Sequence, residues 1–91
     1  MELKDTVELM LSDDWRDRML AEWLQLKIRQ DRLDGFIKAA DRGKTRFASE
    51  EGRKLLKKQR SGMAQYRKVL ELRLMEAGID CSLYETEQSG V

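Results

Sequence analysis

The sequence predicts an all-α protein, a long antiparallel two-helix hairpin with a short N-terminal helix, which we expect to be oligomeric. Apolar residues recur in heptad-like steps, the 91 residues include no proline, and glycines lie where two long helices would end. We expect a hairpin domain over residues 1–78, with a short helix at about 3–11 and long helices at about 13–41 and 50–77. Residues 79–91 form a tail, predicted to be a short extended or packed segment followed by disorder.

The first long helix is predicted from a start signal and an apolar period. Ser12 is a candidate N-cap because Asp13 and Asp14 follow it, and acidic side chains stabilise a helix N-terminus. Apolar residues then recur in steps of four and three, and Gln30 occupies the one polar position. The apolar members of this seam are Met19, Trp23, Leu26, Leu33, Ile37 and Ala40. Gly43 follows as a stop signal.

The second long helix is predicted in the same way. It begins after the candidate N-cap Ser49 and ends at Gly78. The apolar members of its seam are Leu56, Met63, Tyr66, Leu70 and Ala77, and the polar members are Gln59 and Arg73. The connection between the helices is short, so we expect them to fold back on each other about residue 45. This register places Leu26 near Tyr66 and Met19 near Arg73.

Each long helix also carries a second apolar stripe beside its seam. The stripes comprise Leu20, Leu24 and Ile28 on the first helix and Val69, Leu72 and Met75 on the second. A two-helix hairpin has only one inner face, so both stripes need a partner. The simplest partners are another copy of the chain, which would make a homo-oligomer, and the N-terminal arm.

The composition argues against catalysis. The chain has no histidine, which is the usual general base and the commonest zinc ligand, and its single cysteine, Cys81, cannot form a multi-cysteine metal site. No phosphate-binding loop or nucleophile elbow is present. We therefore expect no enzyme activity, no catalytic residue, no metal and no cofactor. The lone cysteine and the absence of a long apolar stretch predict a protein of a reducing cytoplasm that does not span a membrane.

The charges are segregated along the chain although the formal net charge is only +1. Residues 1–41 carry 7 basic and 10 acidic side chains, residues 42–68 carry 10 and 2, and residues 69–91 carry 1 and 5. Two interpretations of the basic segment remain open. It binds an anion, or it is a solvated face near the acidic segments of a neighbouring copy. The near-neutral total makes nucleic acid an unlikely partner.

Polar and aromatic residues of the seams also have two interpretations. Gln59 and Arg73 either set the register of the helices, as buried polar residues do in coiled coils, or contact a ligand. Trp15 and Trp23 either anchor the core or offer rings on which a base stacks.

Three stretches of the chain share a combined pattern with known proteins. They are residues 1–14, residues 21–29 and, on the second helix, the set Leu55, Leu56, Gln59, Met63, Tyr66, Leu70 and Arg73. This pattern resembles a family of small gut-phage and prophage proteins named after crAss-like phages, and it covers about residues 1–78. That family is similar, more distantly, to the helical hairpins of anti-CBASS and anti-Thoeris sponges. The resemblance implies a phage protein with a hairpin fold; the sponges are oligomers that bind nucleotide messengers between protomers.

Charge, aromaticity and position then select a candidate ligand-binding set. Its members are Trp23, Arg53, Lys57, Gln59, Arg60, Tyr66, Arg67 and Arg73. The leading hypothesis is a counter-defence protein that sequesters an anionic immune messenger, a cyclic nucleotide or a cyclic ADP-ribose type molecule. The alternative is a helical protein-interaction module that docks on a host or phage protein without a small-molecule ligand.

Overall fold

The computed structural model describes residues 1–84. A 3-10 turn, Leu3–Thr6, leads into the one-turn helix α1, Val7–Met10, and two long helices follow, α2 at Trp15–Asp41 and α3 at Glu50–Glu76. The long helices pack against each other and run antiparallel, and no strand occurs in the described range. This confirms the prediction of an all-α hairpin with a short N-terminal helix. Within the same range, no helix is long and apolar enough to cross a membrane.

Side-chain caps fix where the long helices begin. Ser49 caps α3 as predicted, because its hydroxyl accepts a hydrogen bond from the Gly52 N–H at 2.9 Å. The prediction for α2 was wrong by two residues, since Asp14 is the N-cap and its carboxylate accepts from the Arg16 N–H at 2.9 Å. Ser12 lies outside the helix and donates its hydroxyl to Asp17 at 2.7 Å. Asp14, predicted as an acidic residue after the cap, is therefore the cap itself.

Two glycines end the long helices in a conformation that other residues adopt at a cost. Gly43 follows α2 with φ 77° and Gly78 follows α3 with φ 88°, both in the left-handed region. Gly62, by contrast, lies within α3, and a Cβ added there would meet nothing within 4 Å. An added methyl group is therefore strained at Gly43 and Gly78, whereas Gly62 has room for it.

We expect Gly78→Ala to lower the free energy of unfolding by about 1 kcal/mol, because alanine is strained at positive φ. Gly62→Ala is expected to raise it by about 0.5–1 kcal/mol, because alanine favours a helix interior and the site is open. Urea unfolding followed by circular dichroism measures both changes. Shifts of the same sign in the two variants would contradict these assignments.

The core lies at the end of the hairpin away from the α2–α3 connection. Its buried members are Met19, Leu20, Trp23, Leu24, Leu70, Leu74 and Cys81, with Leu9, Leu26, Ile79 and Tyr84 packed around them. Both ends of the described chain therefore contribute to it. At the other end, Phe36 and Phe47 pack edge to face with ring centroids 5.9 Å apart.

The N-terminal arm is one partner of the second stripe on α2. Leu20, Leu24 and Ile28 are buried, and fully buried Thr6 accepts a hydrogen bond from the Gln25 side chain at 3.0 Å. The second stripe on α3, defined above, is more than half exposed throughout. Its expected partner, another copy of the chain, stays a prediction. The predicted disordered end of the tail falls largely on residues 85–91, which lie outside the described residues.

The seam of α3 differs from the predicted one at alternate positions. Gln59, Tyr66 and Arg73 are exposed, so the prediction that they are inward-facing seam members was wrong. The neighbouring Arg60 and Arg67 are half-buried. The observed seam contains Leu56, Arg60, Met63, Arg67, Leu70, Leu74 and Ala77. This rotation buries Leu74, which the predicted seam omits, and turns three positions of the candidate set toward solvent.

Candidate functional site

The candidate ligand-binding residues occupy three different environments. Trp23 is in the core; Arg53, Lys57, Arg60 and Arg67 lie toward one edge of the hairpin, and Gln59, Tyr66 and Arg73 toward the other. We call the first edge the ladder edge; there Asp34 and Asp41 of α2 meet α3. We call the second edge the hollow edge; there Trp15, Met19 and Glu22 of α2 meet α3. Glu22 and Asp34 are twelve residues apart, which is a rotation of about 120° around α2.

Three of the four cations that the candidate set has on the ladder edge are paired with carboxylates of α2. Arg60 Nη1 lies 3.1 Å from Asp34 Oδ1 and donates to it. Arg53 Nε lies 3.8 Å from Asp41 Oδ1, and Lys57 Nζ lies 3.5 Å from Asp41 Oδ2. These three basic residues of the candidate set therefore tie the two long helices together. Their charges are largely matched before any ligand arrives.

Asp34 makes the hairpin sensitive to acid. Its hydrogen bonds with Lys38 and with Arg60 hold the pKa of its carboxyl below the ordinary value of 3.8. Because the pKa of Asp34 is lower in the folded state, its carboxylate stabilises the fold at pH values above its ordinary pKa. That contribution is lost as the pH falls through the folded-state pKa. We expect the stability difference between the wild type and Asp34→Asn to shrink as the pH falls from about 5 to about 2. Thermal unfolding across this range measures it; a constant difference would contradict the assignment.

Trp23 is not available to a ligand in this structure. Its side chain is 0% exposed, and it packs with Leu70 and Leu74 of α3. The ring therefore anchors the core, and no base can stack on it without opening the hairpin. Its indole Nε1 finds no hydrogen-bond partner among the described residues.

Tyr66 links the two helices on the hollow edge. Its hydroxyl donates a hydrogen bond to a carboxylate oxygen of Glu22, one turn before the predicted neighbour Leu26. This bond, with partial burial and the negative charge of Glu22, raises the pKa of Tyr66, while the charge of Arg73 acts in the opposite direction. Tyr66, Glu22 and Arg73 therefore lie close enough to influence one another.

A hollow opens beside these residues. It has a volume of about 360 Å³ and is lined by Trp15, Met19, Arg73, Glu76 and Ala77. The predicted proximity of Met19 and Arg73 is confirmed by this shared lining. The volume is at the lower end of the range for small-molecule sites, and the hollow is open to solvent.

Trp15 is an exposed aromatic residue that is not a member of the candidate set. Its side chain is 54% exposed at the hollow, in the first turn of α2. The guanidinium of Arg73, across the hollow, makes no ion pair or hydrogen bond within residues 1–84. The sequence signal for Trp15 was its position outside the apolar seam, close to the predicted start of the first long helix. Gln59 of the same edge is exposed and is not part of the hollow.

The fold is a helical hairpin, and an aromatic and cationic hollow lies between its two long helices. A family model described as Sequestin matches residues 13–76, which include all of α2 and α3. The chain belongs to the Sequestin family, whose name indicates a sequestering function. No curated protein and no solved structure matches the chain.

Proposed function

We propose that this protein is a non-enzymatic phage or prophage counter-defence protein. It binds an anionic nucleotide second messenger, of the cyclic-nucleotide or cyclic ADP-ribose type, and withholds it from an effector in the bacterial cytoplasm. Membership of the Sequestin family supports a sequestering role. The phage context rests on the sequence resemblance, and the absence of histidine from the chain favours binding over catalysis.

The hollow edge is the observation that carries the nucleotide part of the proposal. Arg73 offers an unpaired guanidinium, whose planar donors match the oxygens of a phosphate. Trp15 presents an exposed ring on which a base stacks. The carboxylate of Glu76 lines the same hollow and is suited to accept hydrogen bonds from ribose hydroxyls or base N–H groups. One small surface thus offers a partner for each part of a nucleotide.

A second copy of the chain completes this proposal. Ligand sites usually bury most of the ligand surface, whereas this hollow is open on one side. Another protomer laid against the hollow edge would close it, and the exposed stripe on α3 would give that contact apolar surface. The proposed sponge is therefore a homo-oligomer that holds its ligand between protomers.

Calorimetry with cyclic di- and trinucleotides and with cyclic ADP-ribose isomers tests the proposal. We expect one member of this panel to bind in the micromolar range or tighter and to be recovered unchanged after release. Native mass spectrometry of the same sample reports the copy number and the ligand stoichiometry. Absence of binding across the panel would overturn the nucleotide proposal, and conversion of the ligand would overturn the non-enzymatic part.

The exposed stripe on α3 favours one alternative, a protein-interaction module. Val69, Leu72 and Met75 leave an apolar surface that a host or phage protein could cover instead of a second copy. A monomer that binds no nucleotide but forms a stoichiometric complex with one protein would support this function. Loss of that complex in Leu72→Glu would place the contact on the stripe.

A further inference from the structure

The ladder edge has a regular register that extends beyond its ion pairs. Asp41 faces Arg53, and seven residues further along each helix, in opposite directions, Asp34 faces Arg60. We call each such pair of opposed positions a level. Two more steps of seven lead to Leu20 and Leu74, which both lie in the core cluster. The same register therefore runs from the α2–α3 connection to the core.

At the level between these known pairs, both opposed positions are basic residues. One step of seven from Asp34 and from Arg60 reaches Lys27 and Arg67. Lys27 is only 15% exposed and is paired at 3.7 Å with Asp31 on its own helix. Arg67 is half-buried and makes no ion pair or hydrogen bond within residues 1–84.

No carboxylate joins the two helices at this level in the described part of the chain. Asp31 is held by Lys27, and Glu71, one turn after Arg67, is paired with Lys68 at 3.7 Å. Each of the two preceding levels has an aspartate on α2. Here a lysine stands in place of the aspartate, so this level has two partly buried cations, and Asp31 of α2 is the one carboxylate paired with either of them in the described part of the chain.

Unsatisfied polar atoms of the interior occur at the same level. Within residues 1–84, the buried side-chain atoms without a hydrogen-bond partner are Trp23 Nε1 and Gln30 Oε1. Trp23 precedes Lys27 by four residues and Gln30 follows it by three, so both are its neighbours on the surface of α2. Buried polar groups are normally paired, and here the exceptions flank the cation pair.

We propose that the level of Lys27 and Arg67 is a binding site for a phosphate-class oxyanion, such as the diphosphate group of a small nucleotide. The oxygens of such a group accept hydrogen bonds from the ammonium and the guanidinium together and balance the positive charge that Asp31 leaves unmatched. Asp34 already bridges Lys38 and Arg60 in this manner one level away. The site lies on the ladder edge, apart from the hollow, and it does not depend on the proposed function.

Inorganic pyrophosphate is the probe for this site. In nuclear magnetic resonance titrations of the full chain, the indole N–H signal of Trp23 is expected to shift with saturation, and that of Trp15 is expected to shift less. Arg67→Gln and Lys27→Gln are expected to weaken binding about ten- to hundredfold, as loss of a hydrogen bond to a charged group does. No saturable shift in the wild type would overturn the proposal.

Lys54→Gln is the matched control, because Lys54 is exposed on α3 and has no ion pair with any described residue, and its loss changes the net charge equally. We expect its affinity to stay within about twofold of the wild type. A loss as large as that of Arg67→Gln would show that pyrophosphate follows total charge, and the proposal would be wrong. Arg73→Gln separates the two hypotheses, since it is expected to weaken nucleotide binding at the hollow and to leave pyrophosphate binding here unchanged.

Arg67→Glu keeps the proposal testable if a neutral variant folds poorly. It supplies the missing carboxylate opposite Lys27, so we expect loss of pyrophosphate binding together with a higher midpoint of thermal unfolding. A structural role for Arg67 predicts a lower midpoint instead. Retained binding or a lower midpoint in Arg67→Glu would each contradict the assignment.

Discussion

Trp23→Ala is expected to lower the free energy of unfolding by about 3–5 kcal/mol, the usual cost of truncating a buried aromatic residue. The ring is fully buried between α2 and α3, and it contacts the cluster to which both ends of the described chain contribute. Small domains have a total stability of about 5–15 kcal/mol, so this single change approaches the limit of folding. Urea unfolding followed by far-ultraviolet circular dichroism measures it.

Trp15→Ala is the matched control for this prediction. It removes the same side chain from the same helix, but at a position that is 54% exposed, and we expect a stability change within about 1 kcal/mol. Its effect should instead fall on nucleotide binding, because the ring lines the hollow. Equal destabilisation by the two variants would show that the tryptophans do not have the separate roles that the structure indicates.

Arg73→Gln is expected to weaken binding of the nucleotide identified in the panel by about ten- to hundredfold. The guanidinium has no ion pair or hydrogen bond within residues 1–84, so its removal leaves no buried charge uncompensated. The midpoint of thermal unfolding without ligand should therefore change little. Calorimetry of the wild type and the variant under the same salt conditions measures the loss.

Arg60→Gln is the control of equal charge on the other edge. It removes the ion pair with Asp34, so we expect a small loss of stability, at most about 1 kcal/mol, with nucleotide affinity within about twofold of the wild type. If Arg60→Gln weakens binding as strongly as Arg73→Gln, the ligand does not occupy the hollow edge. The comparison thus locates the nucleotide on one side of the hairpin.

The helices and their antiparallel packing could be predicted from the sequence, whereas the exposure of individual α3 residues could not. A heptad-like period is compatible with either Gln59 or Arg60 at the interface, and these neighbours are about 100° apart around the helix. The choice depends on long-range contacts, the pairing of Arg60 with Asp34 and the burial of Leu74. No local pattern contains that information.

The two tryptophans show the same limitation. They are eight residues apart on α2, and the predicted seam contains Trp23 but not Trp15. Trp23 is buried because it lies at the centre of the core, whereas Trp15 lies in the first turn of the helix at the hollow. The candidate set included Trp23 for its ring although the seam placed it inward, and it omitted the exposed Trp15. Lys27 lies outside the basic segment at residues 42–68, so the charge of that segment does not single it out.

The unequal distribution of the core gives the hairpin a gradient of local stability. Backbone amides of α2 and α3 near Trp23 and Leu70 are covered by the apolar cluster, whereas the end near the α2–α3 connection has the buried Ile37, one ring contact and exposed ion pairs. We therefore expect local opening to begin at the α2–α3 connection and to proceed toward the two chain ends. The two helices would then separate near the α2–α3 connection while the core at the other end of the hairpin keeps them in register.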